Sequence, residues 1–396
     1  MAKADPVVIV GCARTPMGGF LGDFKDVPAP ALGASAIRAA VQRAGVNADA
    51  VEEIVMGCVL PAGQGQAPAR QASLGAGLPL SAGATTVNKM CGSGMKAVMQ
   101  VSDAIAAGNI SIAVAGGMES MSNAPYLLDR ARTGYRMGHG RVLDHMFLDG
   151  LEDAYDKGRL MGTFAEDCAE SYQFTRKSQD DYALDSLSRA LDAAKAGRFE
   201  WEIAPFTLKD RSGETVIRAD EQPPKAKPDK IPTLKPAFRQ GGTVTAANSS
   251  SISDGAAALV LMLQSEAEKR GLTPIAAIRG QATHAQAPNL FTTAPIGAIE
   301  KLMAKTGWGK DTVDLYEINE AFAVVAMAAM RDLGLDHAKV NVHGGACALG
   351  HPIGASGARI LVTLIGALRA HKLRRGIAAL CIGGGEATAV GLELLS

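Results

Sequence analysis

The sequence predicts an α/β protein made of two related halves, with an extra segment inserted into the first half. Three pairs of matching segments recur in the same order and at nearly the same interval along the 396 residues. A fixed order of helix and strand patterns at a constant interval is typical of a duplicated structural unit. Between the copies the composition changes, because residues 121–250 are richer in charged residues, Met and Tyr.

The first matching pair consists of a helix, a turn and a buried strand. Helical patterns over Ala34–Ala44 and Ile296–Thr306 are followed, after a turn, by the apolar runs Ile54–Met56 and Leu315–Ile318. Apolar residues three to four positions apart predict a helix packed on a core, and a short apolar run predicts a buried strand.

The second matching pair places a Ser-Gly dipeptide before an apolar helix. Ser93-Gly94 precedes the helical pattern Met95–Ala107, and Ser356-Gly357 precedes Ala358–Ala370. The third pair consists of two buried-strand patterns that end in glycines, Ile112–Gly117 and Ala378–Gly384. Three pairs in one order predict two α/β halves of the same topology.

Domain boundaries follow from the extent of the repeat. An amphipathic helix, Ser178–Ala196, lies in the intervening segment, and the buried-strand pattern Asp254–Met262 then completes the first half. The predicted domains are residues 1–120 plus 251–274 for the first half, 121–250 for the insertion, and 275–396 for the second half.

Composition bounds the partners and the compartment. Forty basic residues balance forty acidic ones, so we expect neither nucleic acid nor a membrane surface as a partner. Six scattered cysteines form no C-x-x-C pair, which predicts free thiols, no zinc site and a reducing compartment. The apolar run Val7–Val10 follows the N-terminus without a cleavage-site pattern, so we expect no signal peptide and a cytoplasmic protein.

The segment Asn88-Lys-Met-Cys91-Gly-Ser-Gly94 reads as the turn of a nucleophile. Cys91 directly precedes a predicted helix, whose positive end favours the reactive thiolate and is expected to lower the pKa of the thiol. Backbone N–H groups in such a glycine-rich turn can also bind an oxyanion. The alternative is a small buried side chain, which is the commoner fate of a free cysteine.

Two further turns offer an imidazole and a second thiol. His351 lies in Gly350-His-Pro-Ile-Gly354 and is a candidate base for a cysteine nucleophile; the alternative is a histidine that caps a turn. Cys381 ends a buried-strand pattern and enters a run of three glycines. Ligands usually bind at such strand ends, although an ordinary core cysteine is the simpler interpretation of Cys381 alone.

Polar residues elsewhere add to the candidate site. Asn319 follows the strand of the second copy, where it can orient a water or a ligand carbonyl, or cap the next helix. Four lysines near one proline-rich loop are candidates to meet phosphates, and each can equally be a solvated surface residue. They are Lys225, Lys227, Lys230 and Lys235.

Taken together, these segments resemble the thiolases. The resemblance extends from Ala13-Arg-Thr-Pro16 to Cys381-Ile-Gly-Gly-Gly385 and includes Asn319-Glu-Ala-Phe-Ala323. It implies the thiolase fold, with two βαβαβαββ halves stacked as five αβαβα layers and an inserted loop domain. It also implies an acyltransferase that condenses two acetyl-CoA to acetoacetyl-CoA and CoA, and runs the reverse thiolysis. The CoA thioesters are then substrates, and no metal or other cofactor is expected.

The resemblance assigns a role to each catalytic candidate. Cys91 takes the acyl group, His351 activates it, and Cys381 moves the proton of the incoming acetyl-CoA. One oxyanion site is formed by His351 and a water held by Asn319, and the other by the backbone N–H groups of Cys91 and Gly383. The same likeness implies a homotetramer, with Ser122–Met146 as the assembly loop, and a place in fatty acid metabolism.

The resemblance also implies the residues that contact the substrate. The expected CoA-binding residues are Met161, Lys225, Lys227, Ala246, Ser250, Ile252, Phe291, Ala321 and Phe322. Leu160 stands where some thiolases have His, Phe291 where many short-chain members have Met, and lysines where some members carry Arg. These departures leave open a degradative 3-ketoacyl-CoA thiolase that acts on longer chains, and a non-catalytic carrier or a cysteine hydrolase are further alternatives.

Overall fold

A mixed β-sheet passes through both halves of the repeat. The computed structural model describes residues 5–210 and 213–395. The segment Met1–Ala4, on which the signal-peptide expectation partly rests, lies outside the described residues. The strands are β1 (Val7–Arg14), β2 (Gly18–Gly19), β3 (Glu53–Gly57), β4 (Gly83–Val87), β5 (Ile112–Ser120), β6 (Tyr126–Leu127), β7 (Leu143–Asp144), β8 (Phe206–Asp210), β9 (Gly213–Ile217), β10 (Ser253–Leu263), β11 (Ala276–Ala285), β12 (Leu315–Ile318), β13 (Arg375–Ile382) and β14 (Glu386–Leu394).

Four helices occupy the positions that the repeat predicts, two lie in the insertion, and four others lie elsewhere in the two halves. They are α1 (Ala29–Ala44), α2 (Pro68–Ala76), α3 (Ser93–Ala106), α4 (Met161–Ser171), α5 (Arg176–Lys195), α6 (Gln264–Lys269), α7 (Ala294–Thr306), α8 (Ala323–Leu333), α9 (Ala346–Leu349) and α10 (Ile353–His371). The matched helices α1 and α7 end alike, at Gly45 and Gly307, which both adopt left-handed φ values of 65° and 69°. Glycine adopts this conformation without steric strain and so terminates a helix well.

Strand order repeats between the halves. The first half runs β4-β3-β5-β10-β1 and the second runs β12-β13-β14-β11. The two meet where β1 pairs with β11 in antiparallel register, through Val8 with Ala277 and Ile9 with Ala276. Between β5 and β10 the chain forms α4, α5 and the short hairpins β6–β7 and β8–β9.

One edge position of the second half differs from its counterpart. Where the first half has β4 beside β3, the second has a single bridge between Tyr316 and Val340 beside β12. The next residue, Asn341, has φ 50°, so the chain turns away from the strand direction. The Asn341 side chain accepts a hydrogen bond from Ile318 N–H and donates one to the Ile318 carbonyl. These two bonds take the place of the backbone hydrogen bonds that a fifth strand would make with β12.

The cores define five layers, which confirms the predicted fold class. Helices α1 and α2 cover the outer face of the first half, and α7 and α8 cover the outer face of the second. Between the two parts of this sheet, one from each half of the repeat, lie α3 and α10, whose apolar residues share one core with strands of both halves. The order is therefore αβαβα.

The two central helices touch at glycines. A Cβ on Gly357 of α10 would lie 2.4 Å from the backbone nitrogen of Met95, and one on Gly94 of α3 would lie 2.9 Å from that of Ala358. These are the glycines of the matched Ser-Gly pairs, so the repeat places them where the two copies pack on each other. Only glycine allows backbones to approach this closely.

Helix α10 is also the one described helix that is long and apolar enough to cross a membrane. Within the protein, 89% of its apolar window is buried. A helix that is apolar on all sides is expected when it is covered on both sides, and α10 lies between the two parts of the sheet.

The close packing of α3 and α10 generates a stability prediction. Gly357→Ala should lower the free energy of unfolding by roughly 1–3 kcal/mol, because the new methyl group overlaps the backbone of α3. Gly309→Ala is the matched control, because nothing lies within 4 Å of the Cβ that it adds. Urea unfolding measures both; equal stability of the two variants would contradict the close contact.

Candidate active site

Three turns from distant parts of the chain converge on one cavity. Cys91 lies between β4 and α3, His351 between α9 and α10, and Cys381 near the end of β13. All three line a cavity of about 460 Å³. The two thiols and the imidazole, which the local sequence alone left undecided, are thus side by side in the fold.

Most of the predicted substrate residues line the same cavity. They are Met161, Ala246, Ser250, Ile252, Phe291, Ala321 and Phe322, and Gly383, predicted for an oxyanion site, lines the cavity as well. Lys225 and Lys227 line a neighbouring cavity of about 540 Å³, together with Lys230. The two cavities adjoin each other, because Ala246 and Ser251 line both. Lys235 is not among the residues that line either one.

Several lining residues carried no signal in the sequence. Phe147 and Leu151 belong to a short π-helix, Phe147–Leu151, in the inserted segment, and Phe238 lies in an irregular loop. In neither segment are the apolar residues spaced regularly enough along the sequence to predict that one face is buried. Their position depends on contacts with distant residues, so only the three-dimensional fold reveals it.

The turn that carries Cys91 is fixed by its own polar side chains. Met90 adopts φ 47°, and its N–H donates to Asn88 Oδ1 at 2.9 Å. Ser93 Oγ accepts from Lys89 N–H at 2.8 Å and donates to the Met90 carbonyl at 2.6 Å. A Cβ on Gly92 would lie 2.3 Å from Ile382, the residue after Cys381. Glycine at position 92 therefore lets the two thiol-bearing turns approach each other.

Burial keeps Cys91 neutral. Loss of solvent raises the pKa of its thiol to about 11, although the backbone N–H groups of Gly383 and of Cys91 itself act in the opposite direction. The expected lowering of this pKa by the helix end was therefore wrong, because the desolvation that accompanies burial outweighs the nearby donors. A neutral thiol requires a base during the reaction.

His351 has the tautomer that a base requires. Its Nδ1 lies 2.5 Å from Ser356 Oγ, and that hydroxyl donates its own proton to the Pro352 carbonyl. With the Ser356 hydroxyl directed to that carbonyl, its oxygen accepts from Nδ1–H, and Nε2 is then the unprotonated nitrogen. Burial lowers the pKa of His351 to about 3, and Arg359 adds to this effect. Among the described residues Nε2 has no hydrogen-bond partner, so it is free to accept a proton.

Cys381 is a second thiol in a different environment. It is buried near the end of β13, opposite Ala387 of β14. Burial raises its pKa well above the usual value for cysteine, and a negative charge on nearby Cys91 would raise it further. The ionisation of Cys381 is thus coupled to the state of Cys91.

Asn319 directly follows β12 and is not among the residues that line this cavity. Its backbone N–H donates to the Ala379 carbonyl, while its side-chain oxygen and nitrogen are buried without partners in the described part of the chain. The helix-capping alternative for Asn319 was wrong, because α8 has Phe322 as its N-cap residue. A buried amide without a protein partner suits a bound water or carbonyl.

The lysines differ in their surroundings. The Lys225 amine pairs with Glu221 at 2.5 Å, and Glu221 also accepts from the N–H groups of Gly19 and Asp23. This ion pair raises the pKa of Lys225, so the amine stays positively charged. Lys227 and Lys230 line the second cavity, and no ion pair is seen for either of them in the described ranges. Lys227 and Lys230 thus bring positive charge to the second cavity, whereas Glu221 offsets the charge of Lys225.

Fold and site together define a thiolase. Residues 7–265 match the family "Thiolase, N-terminal domain" and residues 272–394 match "Thiolase, C-terminal domain". The chain belongs to this family.

Relatives with nearly the same length cover the whole sequence. Acetyl-CoA acetyltransferase 2 of Arabidopsis thaliana is 53% identical over 98% of this chain and 97% of the relative. Acetyl-CoA acetyltransferase of Cupriavidus necator is 48% identical over 98% and 99%. The crystal structure of the Bacillus anthracis acetyl-CoA acetyltransferase superposes with a TM-score of 0.96, at 41% identity, and covers 99% of both chains.

The raised pKa of Cys91 predicts how the free protein reacts with an alkylating reagent. Because only the thiolate is nucleophilic, the rate of alkylation should rise about tenfold per pH unit from pH 7 to 10, without a plateau. Mass spectrometry of the peptide with Cys91 follows iodoacetamide labelling, and Cys91→Ser identifies the background. A plateau below pH 8 would contradict the neutral thiol.

Proposed function

We propose that this thiolase is an acetyl-CoA C-acetyltransferase that works by a ping-pong mechanism through an acetyl-Cys91 intermediate. The observation that carries the proposal is the presence of two thiols and an unprotonated His351 Nε2 in one cavity. The names of relatives from a plant and several bacteria support the choice of substrate. No metal or other cofactor is needed, because the CoA thioesters are themselves the substrates.

In the first half-reaction Cys91 Sγ attacks the thioester carbonyl of acetyl-CoA while its proton passes to His351 Nε2. The carbon–sulfur bond to CoA then breaks, and the departing CoA sulfur takes the proton from His351. Because both groups are neutral at rest, proton transfer accompanies the attack and no thiolate is stored. The negative oxygen of the intermediate would be stabilised by the backbone N–H groups of Cys91 and Gly383, which reach the Cys91 sulfur in the free protein.

In the second half-reaction the Cys381 thiol gives its proton to His351 Nε2, and the resulting thiolate removes a proton from the α-carbon of a second acetyl-CoA. The enolate forms a carbon–carbon bond to the acetyl carbonyl, and the bond from that carbon to Cys91 Sγ breaks. The proton on His351 then passes to Cys91 Sγ, while Cys381 keeps the proton taken from the substrate. An acetylated Cys91 cannot become negative, so it does not oppose the ionisation of Cys381.

Aromatic rings support a short acyl group. Phe291 is buried and packs edge-on against Phe164 at 6.2 Å and Phe322 at 6.4 Å. Phe291 and Phe322 also line the substrate cavity, so this packing places rigid aromatic surface against the acyl group. The names of the relatives do not favour the degradative alternative with longer substrates. Along the second cavity, the cationic Lys225 and Lys227 would meet the phosphates of CoA.

The proposal includes an assembly and a cellular setting. We propose that the protein forms a homotetramer in the cytoplasm and acts in fatty acid metabolism. Exposed apolar residues in the insertion, Tyr126, Leu128, Met137 and Val142, support an assembly surface there. All six cysteines are free, which supports a reducing compartment.

Two cysteine variants test the assignment of the half-reactions. Cys91→Ser should lose covalent labelling by radiolabelled acetyl-CoA. Cys381→Ala should still take one acetyl group per chain but exchange the α-proton of acetyl-CoA at least 100-fold more slowly. Cys12→Ser, a buried cysteine outside the cavity, is the control and should retain both activities. Full labelling of Cys91→Ser would contradict the role of Cys91 as the nucleophile. Normal proton exchange by Cys381→Ala would contradict the role of Cys381 as the base.

A thiolysis series across 3-ketoacyl-CoA lengths tests the acyl pocket. The unmodified protein should favour acetoacetyl-CoA, and Phe291→Ala should raise kcat/KM for a six-carbon substrate by roughly 10-fold relative to acetoacetyl-CoA, because removal of the ring opens space. Phe24→Ala removes a buried ring that packs on Phe206 outside the cavity and should leave the ratio unchanged. Strong activity of the unmodified protein at eight carbons would support the longer-chain alternative instead.

A further inference from the structure

Glu119 is a buried carboxylate that the reaction described above does not use. Glu119 is the second-to-last residue of β5, and its side chain is fully buried. Within residues 5–210 and 213–395, no basic side chain forms an ion pair with it. A buried carboxylate without a cation is costly unless hydrogen bonds compensate for the lost solvent, so its partners indicate why it is there.

Its partners are backbone N–H groups of two separate segments. Glu119 Oε2 accepts from Val59 N–H and from Gly354 N–H, both at 2.9 Å, and Oε1 accepts from Leu60 N–H at 3.1 Å. The thiol of Cys58 lies 3.6 Å from Oε1. One side chain therefore joins the segment after β3 to the first turn of α10.

The first of these segments leads to the nucleophile. The Val59 carbonyl accepts from Asn88 Nδ2 at 3.4 Å, and Asn88 Oδ1 in turn holds the N–H of Met90. Met90 is the left-handed residue immediately before Cys91. A displacement of Val59 would consequently be passed to the backbone that sets the direction of the Cys91 side chain.

The second segment leads to the base. Gly354 lies three residues after His351, at the start of α10, and its own Cβ would lie 2.5 Å from Glu119 Oε2. There is thus no room for a side chain between Glu119 and this turn. The carboxylate fixes the helix start, and Ser356 in the same turn holds the imidazole.

Glu119 also acts on the nucleophile through its charge. Its negative charge is one of the causes that raise the pKa of Cys91, and the burial of Glu119 itself raises its own pKa to about 7 against three opposing backbone donors. Cys91 is further faced by Cys381 from β13 and by His351 from the turn before α10.

We propose that Glu119 is a positioning residue for acyl transfer, which holds the Cys91 turn and the His351 turn at a fixed separation through backbone N–H groups of both. The proposal rests on the proposed function, because that function makes the separation of the two turns matter. It predicts an effect on turnover rather than on CoA binding, since Glu119 lines neither the substrate cavity nor the cavity with the lysines.

Two variants separate geometry from charge. Glu119→Gln keeps the shape but turns an NH₂ group toward a backbone N–H, and Glu119→Asp keeps the charge but withdraws it by one methylene group. Both should lower kcat per folded molecule by roughly 100-fold with KM within about threefold, because small displacements of reacting groups are costly. The alkylation profile of Cys91 should move to lower pH only in Glu119→Gln, which removes the negative charge.

Glu202→Gln is the control. Glu202 is equally buried, accepts from Arg14 at 2.5 Å, and lies outside the substrate cavity. It should lower thermal stability while kcat per folded molecule stays within twofold. If both Glu119 variants retain kcat within twofold, or if their losses equal that of Glu202→Gln, the proposal is overturned.

The alkylation profile needs no acyl substrate. If the unmodified protein fails to take an acetyl group, the proposed function fails, while the Cys91 profiles of the two Glu119 variants still test the electrostatic link between Glu119 and Cys91. Identical profiles for Glu119→Gln and Glu119→Asp would count against the link between Glu119 and Cys91. If Glu119→Gln does not fold, Glu119→Asp supplies the kinetic test.

Discussion

Direct backbone contact between α3 and α10 is the constraint on which the site depends. Each helix starts just after a reactive residue: Cys91 precedes α3 and His351 precedes α10. The two helices approach at Gly94 and Gly357, where no Cβ fits. Because the helices are equivalent elements of two copies, their contact brings the starts of both to one place. Duplication of the fold therefore also brings the proposed nucleophile, Cys91, and the proposed base, His351, to one cavity.

The chemistry divides between two thiols because their surroundings differ. Cys91 lies in a turn where two backbone N–H groups reach its sulfur, so charge that develops there during attack is stabilised. Cys381 is buried at a strand end, beside Cys91. One sulfur is placed to carry an acyl group, and the other to hold a proton once its neighbour has lost the capacity for negative charge.

The sequence predicted the repeated architecture and three residues that the fold brings to one cavity, because both leave local traces. Short matched segments mark the two copies, and glycine-rich turns mark Cys91, His351 and Cys381. Exact element bounds were less predictable. Helix α10 begins at Ile353 rather than near Ala358, since Pro352 as N-cap and the hydroxyl of Ser356 start the helix earlier than the apolar period alone indicates.

Features that depend on distant contacts were beyond local patterns. The sign of the pKa shift at Cys91 follows from burial by residues of both halves, and the isolated bridge at Val340 follows from bonds between Asn341 and Ile318. Glu119 gave no signal, because a lone Glu at the end of a strand looks like a surface residue until its partners are known.

The neutral state of Cys91 at rest also has a consequence for durability. Peroxides and other cellular oxidants attack thiolates and convert them stepwise to sulfenic, sulfinic and sulfonic acids, of which the last is irreversible. A thiol with a pKa of about 11 offers these oxidants little anion to attack at neutral pH. The loss of solvent that raises this pKa therefore protects the sulfur from oxidation.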